Sequence, residues 1–212
     1  PFMEHDQLTF PHLCLTVSGG HTLLVEVLEG WENYHVLGST QDDAAGEAYD
    51  KVAKYLGLGF PGGKIIDDLA KMGDETAITF PRPMLNSGNY QFSYSGIKTS
   101  VRNFVEKATK NQELPSVEDI AASFQAAAVE VLVAKTIRAT KEKGYRTITL
   151  TGGVAANSLL RKEMEIAGEE IGAKVFYPSI RLCTDNAAMI AGLAYQKYCQ
   201  GQRDDFDLNA SA

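Results

Sequence analysis

Residues 146–199 alternate between short β-rich runs and helix-patterned runs, and this alternation limits the possible folds more than any other feature. Residues 146–151 alternate as a strand, Gly152-Gly153 follows, and the spacing predicts a helix over 157–171. Residues 174–177 read as a second short strand, and Thr184 is expected to cap a last helix that reaches Cys199. Consecutive strands joined through helices run parallel, because a parallel pair needs a crossover. The first forty residues carry the opposite signature. Residues 13–17, 23–28 and 34–38 are short, β-rich and split by glycine-containing turns, as in an antiparallel meander.

The stretch between these two signatures is helical. Ala44, Ala48, Val52 and Leu56 recur at helical spacing, and Gly57 can stop that helix. A second helix is expected over 64–72, a loop with Pro81, Pro83 and Gly88 over 74–95, and a third helix over 96–107. Ser116 with Asp119 resembles a capping box. Behind it Ile120, Phe124, Ala127, Val131 and Ala134 mark one face of a long helix ending near Gly144. The class is therefore α/β. A meander joined to a βαβα tail is the layout of a ribonuclease H-like lobe, here with a mixed sheet, flanking helices and a helical insertion at about 62–143. The lobe would span 1–183, with 184–212 as a closing helix and a loose polar tail.

With 212 residues the chain can hold one large domain or two small ones. Its 44% hydrophobic content excludes a disordered chain. No unbroken apolar run approaches the roughly 20 residues that span a bilayer, and no secretory pattern is present. Three cysteines, Cys14, Cys183 and Cys199, without CxxC read as reduced thiols of a cytoplasmic protein, with Cys14 packed as a small hydrophobe. The net charge of −7 argues against binding nucleic acid by bulk charge; a local basic patch or a basic partner would be needed. The opening PFMEHDQLTF lacks an initiating Met and reads as a fragment or processed piece.

Four stretches are candidates for chemistry. The first is Ser18-Gly19-Gly20-His21-Thr22 at the tip of the first hairpin. One glycine suffices for a turn; a second bares amides that suit a phosphate or carboxylate, unless it is merely redundant. In TLTGGVAANSLLR, a strand–Gly-Gly–helix turn lets a nucleotide approach the backbone, and Asn157 can bond a ribose or base. A tight packing turn explains the same glycines. Third, Asp43, Glu47 and Asp50 fall at i, i+4 and i+7 on one helix face. They are either a solvated face with Lys51 paired to Glu47 or carboxylates for a sugar hydroxyl, and Asp42-Asp43 also suits a helix N-terminus. The fourth is LCTDNAAMIAG, where Asp185 is a helix cap or one hard metal ligand. His5, His12, His21 and His35 make no HxxxH or HxH pair, so any metal site is incomplete. Arg82 in FPRPM and Lys98 in FSYSGIKT sit in loops that either touch RNA or cover a core edge, with cover favoured by the acidic charge.

Taken in order, TVSGGHT, DDAAGEAYDK, FPGG, FPRPM, FSYSGIKT, GGVAAN and CTDNAAMIA closely resemble the tRNA threonylcarbamoyladenosine synthase family, formerly labelled O-sialoglycoprotein endopeptidases or glycoproteases. The resemblance implies the two-lobed fold of the actin, sugar kinase and Hsp70 group. It implies transfer of a threonylcarbamoyl group from threonylcarbamoyl-AMP to the exocyclic amine of the adenosine 3′ of the anticodon, in tRNAs reading codons that begin with A. It implies that Thr16, Val17, Ser18, Gly19 and Gly20 line the adenylate site, that Asp50 and Gly63 bind substrate, and that Asn157 lies near the nucleotide. It implies one divalent metal ion per subunit, of iron or zinc type, with Asp185 as a ligand. The family's partners are tRNA, a paralogous subunit of the same fold and a small ATPase, with no membrane.

The departures carry their own expectations. The family's two metal-binding histidines and most of its first lobe lie upstream of this chain's start. The piece is accordingly expected to bind metal poorly and catalyse little alone, with 184–212 packing on the absent lobe. Lys64 stands where many members carry Pro, and Tyr49 replaces a common Phe, a change expected to be harmless. His21 is a weak candidate for a general base. A metallopeptidase would need a helix such as HExxH, which is absent. A small-molecule kinase shares the lobe architecture, and a non-catalytic partner subunit would have lost Asn157 and Asp185.

Overall fold

The computed structural model describes residues 1–29 and 33–205. The Gly30 turn of the meander and most of the expected loose tail lie outside the described residues. The chain runs β1 (His12–Val17), β2 (Thr22–Val27), β3 (Tyr34–Ser39), α1 (Ala45–Tyr55), α2 (Gly62–Ala70), α3 (Ser95–Asn111) and α4 (Val117–Lys143). It closes with β4 (Thr147–Thr151), α5 (Ser158–Glu170), β5 (Lys174–Phe176) and α6 (Ala187–Cys199). A 3₁₀ turn at Gly153–Ala156, absent from the sequence expectation, joins β4 to α5.

The sheet order is β3-β2-β1-β4-β5. β1–β2 and β2–β3 are antiparallel, while β1–β4 and β4–β5 are parallel, with Thr16 opposite Thr151. The mixed sheet thus matches the two sequence signatures. Alternation along β1 sends Leu13, Leu15 and Val17 into the core with Leu24, Ile148 and Leu150. Cys14 and Thr16 take the other face. Cys14 consequently lies against the Thr16 and Thr151 hydroxyls, at 3.6 and 3.7 Å, a more polar setting than the small-hydrophobe packing expected of it.

α4 crosses the core. Ile120, Phe124, Leu132 and Ala139 are fully buried in it, and the Phe124 ring meets the Tyr49 ring of α1 edge-on at 5.0 Å. Ser116 caps it, its Oγ accepting from Asp119 N at 3.0 Å, and Gly144 closes it in the left-handed region. The reciprocal half of the capping box is not used, because the Asp119 carboxylate accepts instead from Asp74 N of the preceding loop. By length and composition α4 could cross a bilayer, although its apolar residues form no unbroken run. Its apolar window is 78% buried inside the fold, as a core helix is. α6 is the reverse case: an apolar helix with no buried residue, Ile190 72% and Tyr195 64% exposed.

Candidate functional site at the carboxyl ends of the central strands

β1 and β4 are parallel neighbours whose chains leave in opposite directions, β1 toward β2 and β4 toward β5. Open α/β sheets bind ligands at such a switch point, beyond the carboxyl ends of the strands. Thr16 and Thr151 lie opposite each other near the carboxyl ends of these strands, and their hydroxyls share a 2.9 Å hydrogen bond. Gly152 follows at φ +90°, and a Cβ there would lie 2.3 Å from Val17 O. Gly46, on the first turn of α1, is equally constrained: a Cβ would stand 2.6 Å from Ser18 O, and its amide donates to that oxygen at 3.1 Å. The buried Thr22 hydroxyl accepts from Ala45 N at 2.9 Å. The start of α1 and the turn after β4 are thereby pressed onto the hairpin tip.

The tip itself is closed by Ser18, not by glycine. Ser18 N donates to His21 O at 2.8 Å, and Ser18 Oγ accepts from Gly20 N and His21 N at 3.2 and 3.0 Å. Two of the amides that the sequence bares for a ligand are thus engaged. Neither Gly19 nor Gly20 is left-handed, and a Cβ at either would meet nothing within 4 Å. The turn does not require glycine at these positions, contrary to the expectation that one of them supplies φ > 0.

A second group lies along α1, α2 and α5. Asp50 Oδ1 accepts from Gly62 N at 2.7 Å, at the start of α2. Gly62 is needed for packing, since a Cβ would fall 2.5 Å from Ala53 Cβ, whereas a Cβ on Gly63 meets nothing within 4 Å. Asn157 is the N-cap of α5: Oδ1 accepts from Leu160 N at 2.9 Å, and Nδ2 donates to Gln125 Oε1 at 2.7 Å. Gln125 in turn donates to Asp67 Oδ1 at 3.1 Å. That oxygen also accepts from Ser158 N and Oγ, and Oδ2 pairs with Lys71 at 3.2 Å. Asp67 and Gln125 are buried hubs that the sequence reading passed over. The available signal was a glutamine on the otherwise apolar face of α4.

The acidic stretch separates. α1 starts at Ala45, so Asp43 is not on the helix, and Asp50 turns to Gly62 instead of joining a common acidic face. Lys51 pairs with Asp43 and Glu47 at 2.9 and 2.7 Å, and Lys98 reaches Asp43 at 2.5 Å. Asp42 leaves α1 altogether. It accepts from Ser93 Oγ, Tyr94 N, Ser95 N and Ser95 Oγ and caps α3 from outside. Burial raises the Asp42 and Asp43 pKa values, but these donors outweigh it and hold both carboxyls below the ordinary range. Arg82 is bound to Glu130 and Phe80 O. The two loop cations are therefore engaged.

Asp185 is exposed just before α6. The cap of that helix is Asn186, whose Oδ1 accepts from Met189 N at 3.2 Å; neither Thr184 nor Asp185 fills the role. The Thr184 methyl lies 3.8 Å from where a Cβ on Gly153 would stand. Among the described residues no group of three His, Cys, Asp or Glu side chains could hold a metal ion. These residues do not fit a complete metal site. A groove of about 370 Å³ lies between α4, α5 and the 75–82 loop, and none of the strand-end residues above lines it.

The fold has known counterparts. HypF of T. kodakarensis superposes over 79% of this chain and 21% of its own, with a TM-score of 0.54 and 20% identity. The activator of 2-hydroxyisocaproyl-CoA dehydratase from Clostridium difficile covers 97% of this chain and 66% of its own, at 0.53 and 16%. These show the fold: a mixed five-stranded sheet with flanking helices, shared with both proteins. Sequence similarity is closer. The tRNA N6-adenosine threonylcarbamoyltransferase of Clostridioides difficile is 51% identical over 210 residues, and that of Thermosipho africanus 50% over 209. Each alignment covers 99% of this chain and 62% of the relative, so the chain spans about 62% of the length of these curated relatives. The family description TsaD, tRNA N6-adenosine threonylcarbamoyltransferase, matches residues 1–192. With that match and half of its residues shared with such enzymes, the chain belongs to the tRNA N6-adenosine threonylcarbamoyltransferase family.

Proposed function

We propose that this chain is the nucleotide-binding lobe of an enzyme that modifies tRNA, moving a threonylcarbamoyl group from threonylcarbamoyl-AMP to the exocyclic amine of the adenosine 3′ of the anticodon. The observation that carries the reading is a set of glycines that the fold does not need. Gly19, Gly20 and Gly63 have no crowding neighbour and no left-handed backbone, which leaves close approach of a ligand as their use. Thr16, Val17 and Ser18 would flank the phosphate and Asp50 the sugar. Asn157 would approach the nucleotide with its second Nδ2 hydrogen, the first being held by Gln125. Amides and hydroxyls fixed at the ends of β1 and β4 suit negative charge developing on the acyl and phosphate oxygens. The adenosine amine would attack the carbamoyl carbon, with AMP leaving.

His5, His12 and His35 are tied to Tyr177 O, Thr9 O and Glu26, so His21 would be the imidazole that meets a substrate at the rim. Asp185 offers one oxygen toward a divalent metal ion, with any further ligands coming from outside the described residues. The bare face of α6 would be covered by a further lobe, for which the greater length of the relatives leaves room. Since Arg82 and Lys98 are paired with carboxylates, tRNA would be met by other surface or by a partner, such as a paralogous subunit or a small ATPase. The peptidase and small-molecule kinase readings find no support in relatives that carry a transferase name.

The test is calorimetric titration with AMP, comparing the unaltered protein with Gly20→Ala and Gly63→Ala. Both methyl groups have room, so both variants should fold. Loss of AMP binding with the melting temperature unchanged or raised is the expected result. Equal affinity in all three would refute the site. Asn157→Ala is the less clean probe, because it also removes a helix cap, worth about 1 kcal/mol.

A further inference from the structure

We propose that Arg161 is a positioning residue that locks the Gly152–Ala156 turn to the segment 177–185 and sets the spacing between the two sides of the site. Its guanidinium makes contacts on both sides. Nε donates to Ala155 O at 2.6 Å, within the turn that follows Gly152-Gly153. Nη2 donates to Pro178 O at 2.9 Å and to Cys183 Sγ at 3.3 Å, within the other segment. The guanidinium also stacks on the Tyr177 ring, 4.2 Å from its centroid, and the Tyr177 hydroxyl is bound to Glu165 one turn along α5. Cys183 is buried, and its thiol lies 3.6 Å from Ser179 O.

The consequence follows from what each segment carries. One bears Gly153, the other Thr184 and Asp185, and the Thr184 methyl already lies 3.8 Å from the Cβ position of Gly153. A planar fork with several fixed donors can serve two acceptors, a thiol and a ring together; a lysine ammonium at the end of a flexible stem cannot. Arg161 therefore holds the glycine turn and the Asp185 turn at one separation. The lock stands on this geometry alone, while its effect on a ligand rests on the nucleotide reading above.

The experiment compares Arg161→Lys with Met164→Ala, a core truncation on the same helix, by amide hydrogen exchange and AMP titration in the protein. Arg161→Lys should speed exchange about tenfold in residues 152–157 and 179–186 together, and weaken AMP binding about tenfold. Met164→Ala should lower the melting temperature at least as much, with both segments and the AMP affinity within twofold of the unaltered protein. The proposal is overturned if only one segment, or neither, loosens in Arg161→Lys, or if Met164→Ala reproduces the effect. Absence of AMP binding by the unaltered protein would instead refute the nucleotide reading, and the exchange data would still decide the lock.

Discussion

Glycine at this site stands in two surroundings that the residue name alone does not separate. At Gly46, Gly62 and Gly152 a neighbouring atom already occupies the Cβ position; at Gly19, Gly20 and Gly63 the space is open. The two sets should respond oppositely to alanine. Gly152→Ala adds left-handed strain to an overlap with Val17 O and should cost about 3 kcal/mol or more in urea unfolding. Gly63→Ala, within α2, should stabilise by about 0.5–1 kcal/mol while weakening nucleotide binding. Tyr49 reverses a simpler expectation. Its hydroxyl is buried with no hydrogen-bond partner, so the change from Phe is not harmless. Burial and the nearby Asp67 charge push its pKa far up, so the phenol stays neutral. Tyr49→Phe should raise stability by about 1–3 kcal/mol in the same measurement, the cost of an unsatisfied buried group.

Helix ends and loops are held across the chain as often as locally. Asp42, 53 residues before the start of α3, supplies the acceptor its N-terminus lacks. Its folded pKa is depressed, so its contribution is present above the unfolded value of about 4 and lost as pH falls through the folded value. The stability gap between the unaltered protein and Asp42→Asn should therefore close on acidification below pH 4, as read by acid-dependent urea midpoints. Lys135 behaves oppositely. This buried lysine of α4 donates to Ser87 Oγ and Asn89 O, clamping the 84–92 loop beside Arg138. Burial first, then the Arg138 charge, lowers its pKa to about 8. Between pH 8 and about 10 the unfolded chain binds the extra proton, so stability should rise with pH, by on the order of 1 kcal/mol per unit. Lys135→Met should flatten that rise.

For the molecule as a whole, the imbalance between α4 and α6 is the main feature. Both are apolar; one is the core and the other is exposed. Exposed apolar area of this kind promotes association. Ile190→Lys with Leu193→Lys should leave the melting temperature within about 2 °C, since surface changes away from packed features cost under about 0.5 kcal/mol. The same pair should reduce binding of a hydrophobic dye and concentration-dependent self-association in sedimentation. Unchanged dye binding would mean that α6 is covered in solution.

By itself the sequence determined the order of the elements, the mixed sheet and the family. Those follow from periodicity, turn residues and seven ordered motifs, all of which are local in the chain. It also pointed to Thr16, Gly20, Asp50, Gly63 and Asn157 as candidates. Only the tertiary structure decided what each of these side chains is already bonded to. Asp50 goes to Gly62, Asn157 to Gln125, Asp42 to α3, and Arg161 to a segment beyond its own helix. Hydrogen-bond partners of this kind are chosen by which backbone ends the fold leaves unsatisfied and brings within about 3 Å, and no local spacing encodes that.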